Sequence, residues 1–456
     1  MMTERDGVQQ SLYNPSIEEI VPEDDIYRQI EAAVDFTFIY DRLRPYYCPD
    51  NGRNSADPVV VVKSLLIAFL EGIPSERKLE RQLRLNAAYR WFLGLRFDER
   101  VPDHSTISQL RRRKFNDAEI IKELFMHILR LCAESGLVSG KLLVTDSTHV
   151  KANASKASQM KIEIERTATE FFERLDAYEA AERERLGLPE IKRKPPQPKR
   201  EEQIRSATDP ESGWLTRPGK PDGFHYLSHQ TLDTEHGIIV DVGVTPGHTH
   251  DGVPYIEEID RAVNTLHDMG IPAEAVCADA AYDSTMIHKD LDDRELAVHM
   301  VKTDSGESGK TEYRRDDFTY SRETDSFACP AGQTLTLRGT QRLVNGVYRE
   351  YRSSPKDCRS CPHRIKCLAP SQTSRRLCVN IFQDIVDRHH QNDGSPQHSD
   401  ALRKRQIWCE GTFAAQKARH NLGQMFRRGL RAAADHCFLS ACAINLKRLV
   451  KCRVPA

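Results

Sequence analysis

At 456 residues the chain is long enough for two or three domains, and its formal charge of −1, from 66 Lys and Arg against 67 Asp and Glu, excludes a uniformly basic or acidic protein. No apolar run reaches the ~18 residues of a membrane span: Val59 to Leu70 is short and interrupted by Lys63 and Ser64, and the polar start Met1-Met2-Thr3-Glu4-Arg5-Asp6 lacks the apolar core of a signal peptide. Most of the twelve Cys stand singly (Cys132, Cys277, Cys437, Cys442), which fits a reducing cytoplasm where clustered Cys serve as metal ligands rather than disulfides.

The neutral total hides a segregation of charge. Residues 1–50 hold eleven acids against four bases, whereas Arg77 to Lys114 holds eleven bases against four acids and Leu402 to Arg453 twelve against two. Two basic blocks on a neutral chain point to a polyanionic partner such as nucleic acid, with solvated helix faces as the alternative.

Residues 1–56 form an acidic lead with an aromatic segment from Phe36 to Tyr47. Residues 57–136 read as helical. Asp57-Pro58 opens a helix that Gly72 stops, and Ser75 caps a second whose Leu79, Leu83 and Ala87 share one face. Pro102-Asp103-His104 starts a third, running into Arg111-Arg112-Arg113-Lys114. Short helices ending in a basic one predict a helix-turn-helix DNA reader; a helical dimerisation bundle fits the same features. Asp117 to Ser135, with Ile120, Leu124, Ile128 and Leu131 in helical period, is a further helix ended by Gly136.

Leu142-Leu143-Val144 then reads as a buried strand with Asp146 at its polar end. Residues 155–205 are charged and helical, expected as an arm outside the core, with breaks at Pro189 and Pro195-Pro196. His225–Leu232 and Gly237–Thr245 predict an antiparallel hairpin, and Tyr255–Met269 a helix. Ala275-Val276-Cys277-Ala278-Asp279 is a second apolar strand ending in an acid, and Leu296 to Val301 a further short strand. Residues 302–400 read as irregular but hold Cys329, Cys358, Cys361 and Cys367, a set that would satisfy a tetrahedral structural zinc, with His363 as a substitute and unligated thiols as the alternative. Ala401 to Val450 is helical, with a break at Gly423 to Gly429; Ile407, Trp408 and Phe413 are expected to pack it onto a sheet.

Three carboxylates stand out. Asp146 and Asp279 end separate strands, and Glu410 lies among Arg403, Lys404, Arg405 and Lys417. If the three converge, their hard oxygens suit two Mg²⁺ or Mn²⁺ ions about 4 Å apart, which can promote an in-line phosphoryl displacement.

On Val144-Thr145-Asp146-Ser147-Thr148, Ala278-Asp279-Ala280-Ala281-Tyr282-Asp283 and Ile407-Trp408-Cys409-Glu410-Gly411-Thr412-Phe413 with Lys417, the chain resembles a bacterial insertion-sequence transposase of the DDE class. Glu410 and Lys417 keep the family's spacing of six intervening residues; Gln406 stands where its Arg is expected, with Arg405 and Arg403 nearby, and no Tyr lies at the upstream position. Gly72-Ile73-Pro74-Ser75-Glu76-Arg77-Lys78-Leu79, Trp91-Phe92-Leu93-Gly94-Leu95 and Pro102-Asp103-His104-Ser105-Thr106 extend the similarity to the N-terminal region.

The resemblance implies an α/β fold: a ribonuclease-H-like mixed sheet flanked by helices (137–301 and 401–450), preceded by an all-helical domain and carrying a Cys-bearing insertion (302–400) before the last catalytic helix. It implies that Asp146, Asp279 and Glu410 hold the two ions, that a phosphodiester at the element end is hydrolysed, and that the freed 3′-OH attacks target DNA. Arg405, Lys417, Arg111, Arg112 and Arg113 would contact double-stranded DNA, at the terminal inverted repeats and target, with a homodimer pairing the ends. A nuclease of the same fold that cuts without joining, and a non-catalytic repressor, are the alternatives.

Overall fold

A computed structural model describes residues 15–48, 55–166, 169–191, 193, 199–216, 222–303 and 312–453. The start of the acidic lead (1–14) and the break at Pro195-Pro196 lie outside them. Backbone contacts divide the chain into two compact units: Met1–Met160 with Ile204–Glu274 and Arg403–Ala456, and Lys161–Gln203 with Ala275–Leu402. Helices and strands are both abundant, so the fold is mixed α/β. Among the described residues no helix is long and apolar enough to cross a membrane.

The strands are β1 (Leu143–Lys151), β2 (Gln159–Arg166), β3 (Lys199–Ser206), β4 (Gly213–Leu215), β5 (Gly223–Asp233), β6 (Ile239–Pro246), β7 (Ala275–Ala278) and β8 (Ala297–Met300). Five more follow: β9 (Thr319–Ser321), β10 (Ser326–Ala328), β11 (Thr334–Leu343), β12 (Gly346–Ser353) and β13 (Arg376–Asn380).

In the first unit the helix starts follow the expected caps. Asp57 accepts from the amides of Val59 and Val60 at the head of Pro58–Leu70, Ser75 caps Glu76–Leu85, and Asp103 caps His104–Leu110. Lys63 and Ser64, which interrupt the apolar run, are both buried; Lys63 reaches Glu31 and the carbonyl of Phe92, and Ser64 bonds the carbonyl of Val60. The basic run does not continue the third helix regularly. Arg111–Phe115 forms a π-helical turn, and Glu119 at φ 49° delays the next helix to Ile120–Glu134.

β5 is the centre of this unit's sheet, antiparallel to β1 on one side and to β6 on the other, with β4 beside its first residues. Two helices cover it. Cys437 of Leu430–Arg453 bonds Ser228, whereas Glu258 of Tyr255–Asp268 approaches His229. Adjacent residues of a strand point to opposite faces, so the two helices lie on opposite faces of β5. Leu430–Arg453 packs on Ile120–Glu134, Pro58–Leu70 and β6, and the Asn445 amide pairs with both the N–H and the C=O of Ile239 at 2.9 and 2.8 Å.

In the second unit β7 and β8 are parallel, joined through the helix Thr285–Asp292. The stretch read as irregular holds an antiparallel sheet of five strands, ordered β13-β12-β11-β10-β9, over a core of Phe327, Leu335, Tyr351 and Leu377. Charged and glycine residues between these apolar positions hide their alternation. The charged arm differs from expectation too. Among its described residues the one α-helix is Thr169–Arg185, between β2 and β3, and it packs on β11 and β12 through Asp176–Arg342, Glu179–Thr340 and Glu182–Arg349.

Candidate active site

Asp146 is not at the end of its strand. β1 continues through the polar residues to Lys151, because Thr145, Asp146 and Ser147 pair across to Thr231, Gln230 and His229 of β5. Asp146 and Thr148 therefore share a face. On that face Arg405 Nη1 donates to Asp146 Oδ2 at 2.9 Å, with 16% and 19% of the two side chains exposed, and Lys417 Nζ donates to Thr148 Oγ1 at 2.6 Å. Two of the five cations expected to meet DNA, Arg405 and Lys417, thus stand beside the strand that carries the first acid.

Glu410 is positioned by an irregularity the sequence did not disclose. Gln406–Glu410 forms a π-helical turn ahead of the helix Gly411–Arg419, and it lies against β1 and β5. A π turn adds a residue per turn and rotates the following side chains. Cys409 is buried in consequence, while Ile407, expected in the packing, is exposed, as is Glu410. Trp408 holds the turn in place by covering Gly237, whose φ of +72° and lack of Cβ permit the approach. Arg448 completes the clamp: it donates to the Gly237 carbonyl and, at 2.8 Å, to Thr412 Oγ1, with its guanidinium 5.2 Å from the Trp408 ring centroid. Burial lowers the Arg448 pKa only to about 10, so it keeps its charge at neutral pH.

On the opposite face of β5 lies a buried polar group that sequence reading missed. Burial raises the Glu258 carboxyl to about 8 and lowers the His229 imidazole to about 4, so their 3.6 Å approach is a contact between neutral groups rather than an ion pair. Asp251, from the His248-Thr249-His250-Asp251 turn, accepts from Ser147 Oγ at 2.7 Å.

Along the helical segment an open groove is lined by Arg77, His104, Ser108, Asn153, Lys417 and Arg427, among others. It joins the second and third helices to the Lys417 region. Arg111, expected at DNA, has a side chain only 4% exposed that pairs with Glu76 at 3.1 Å. Arg112 and Arg113 are exposed.

In the second unit Asp279 directly follows β7, and its Oδ1 accepts from the Ala281 amide at 2.8 Å, capping a short 3₁₀ turn. Cys329, Cys358, Cys361 and Cys367 line one cavity with His363. Burial pushes the Cys367 thiol up; Arg375 opposes this, and the other three Cys add to it. The Gln333 amide donates to Cys329 Sγ at 3.3 Å, a backbone donor of the kind that supports a thiolate.

Residues 15–113 match the family described as "Transposase domain (DUF772)", and residues 328–450 match "Transposase DDE domain". The second match contains the four Cys, Glu410 and Lys417; Asp146 and Asp279 lie outside both. None of the curated proteins compared matches the chain. Among solved structures, piggyBac transposase in a synaptic complex with hairpin DNA is 10% identical, over 94% of this chain and 75% of that one, at a TM-score of 0.34. Mos1 transposase in a paired-end complex with the left transposon end is 11% identical, over 57% of this chain and 64% of that one, at 0.17. Scores this low fix neither fold nor chemistry, and the family rests on the two matched segments.

Proposed function

From the premise that this chain is a DDE-class transposase, an enzyme of the polynucleotidyl transferase and nuclease type, we propose that it cuts DNA at the ends of its own mobile element and joins the freed 3′-OH to target DNA. The observation that carries this is the face of β1: Asp146 held by Arg405, Lys417 on Thr148, and the Glu410 turn packed against the same strand. Asp146, Asp279 and Glu410 are hard oxygen donors suited to Mg²⁺ or Mn²⁺, and such ions, when bound, activate the attacking oxygen and stabilise the leaving one.

The chain's own residues do the rest. Lys417 and Arg405 place positive charge where a scissile phosphate would sit, and the groove with Arg77 and Arg427 would hold the flanking backbone. Arg112 and Arg113 add exposed charge to the helical segment. The catalytic part would adopt the ribonuclease-H-like arrangement, and a homodimer would pair two inverted-repeat ends in the bacterial cytoplasm. The four Cys line one cavity but no three of their sulfurs lie within 4.8 Å of one another, so they would have to draw together to hold a structural zinc; metal analysis of protein purified without chelator tests this, and absence of zinc sinks that assignment.

The test of function is incubation of the purified protein and Mg²⁺ with a labelled inverted-repeat end and a target plasmid. Joined product is expected. A cut end that is never joined selects the nuclease alternative, and a bound but uncut end the repressor.

A further inference from the structure

Beside the turn that carries Asp279, but chemically separate from it, Asp283, His288 and His390 converge. Their ligand atoms all lie within 4.8 Å of one another, the one such group of three or more among the described residues. His288 Nε2 stands 2.7 Å and His390 Nε2 3.2 Å from the same oxygen, Asp283 Oδ1. The three side chains are at most 9% exposed. The far side of each group is already held. Asp283 Oδ2 accepts from the Thr303 amide, His288 Nδ1 meets His389 Nδ1 at 2.9 Å, and His390 Nδ1 meets Asp393 Oδ2 at 2.9 Å.

We infer that Asp283, His288 and His390 form a transition-metal site, of which zinc is the natural occupant, separate from the acidic phosphoryl-transfer site. The donor set is two imidazole nitrogens and one carboxylate oxygen, which favours Zn²⁺ over Mg²⁺. Ligands about 2.1 Å from a tetrahedral ion lie roughly 3.4 Å apart, so the group needs only to open slightly around the ion, with water completing the shell. Both imidazoles present Nε2 inward and are oriented through Nδ1, and the carboxylate behind His390 is the outer-shell partner that metal-binding histidines commonly have. Asp283 precedes the helix Thr285–Asp292, which carries His288, and His390 follows the helix Gln383–His389. A bound ion would therefore staple two segments that are a hundred residues apart in sequence, and would steady the turn from Asp279 to Asp283.

The test uses the full chain, stripped with chelator and then loaded with Zn²⁺ in excess Mg²⁺, which occupies the acidic site. The parent is expected to bind one more zinc per chain than His390→Gln or His288→Gln. Zinc should raise the parent's thermal midpoint more than the variants', and Asp393→Asn should weaken this zinc by about 10–100-fold. Two variants guard against a single misfolded one, and circular dichroism in chelator checks both. With Co²⁺ in place of Zn²⁺, the parent-minus-variant spectrum should show ligand-field bands without thiolate charge transfer. Equal zinc in parent and variants, or a difference spectrum of thiolate type, overturns the assignment.

Discussion

The ion pair of Asp146 with Arg405 sets a direct test of the proposed metal site. A metal ion binding Asp146 must compete with a guanidinium 2.9 Å from its Oδ2. A charge-assisted hydrogen bond is worth about 1.5–3 kcal/mol, so Arg405→Ala should raise Mn²⁺ affinity about tenfold or more while slowing DNA cleavage. Calorimetric titration checks it, and unchanged or weaker Mn²⁺ binding would show that Arg405 does not guard this ligand. Glu258 sets a pH dependence. Raised from its ordinary 4.5 to about 8, it contributes stability while protonated and loses it as pH climbs between those values. His229, lowered from 6.5 to about 4, acts in the other sense, costing stability as pH falls below 6.5. The two oppose each other from 4.5 to 6.5, and above 6.5 Glu258 alone of the pair titrates. Stability should therefore fall from pH 6.5 to 8, by at most ~1.4 kcal/mol per unit, and Glu258→Gln should flatten the slope. Denaturant midpoints across that range decide it; an equal slope in the variant would assign the effect elsewhere.

The decisive element is the π turn Gln406–Glu410, because it aims Glu410 through the Trp408–Gly237–Arg448 clamp. A methyl group at Gly237 would collide with the Trp408 ring. Misplacing a catalytic group by about 1 Å can cost ~10²-fold, so Gly237→Ala should lower the cleavage rate by about that factor and leave end binding intact; an unchanged rate would uncouple the clamp from Glu410. Which elements could be foreseen follows from how local their causes are. Asp57, Ser75 and Asp103 announce helix starts because a cap bonds amides two or three residues away. The extension of β1 through Asp146 depends on pairing with β5, some eighty residues on, and a polar run gives no hint of it. A π turn likewise leaves no periodic trace, so the burial of Cys409 and the exposure of Ile407 were not legible.

Across the whole molecule, the segregation of charge predicts an anionic partner, and the structure sorts the cations of the basic blocks by their exposure. Arg111 counts in the basic block but spends its charge on Glu76, whereas Lys417 and Arg427 reach the same groove from the far end of the sequence. Asp146 and Glu410 stand out in the sequence through their motifs, whereas the meeting of Asp283 and His288 with His390 does not, since 107 residues separate His390 from Asp283. If the groove holds about six or more phosphates, affinity for the element ends should fall by at least about 10³-fold between roughly 50 and 200 mM salt; a flat response in a filter-binding titration would remove the groove from the DNA path. The central proposal is that Asp146, Asp279 and Glu410 are each required for strand cleavage. Its most direct measurement is cleavage and joining of a labelled inverted-repeat end by Asp146→Ala, Asp279→Ala and Glu410→Ala beside the parent, with a band-shift control. Each variant is predicted to bind the end and produce no cut strand; full cleavage by any one of them would contradict the proposed role of that acid.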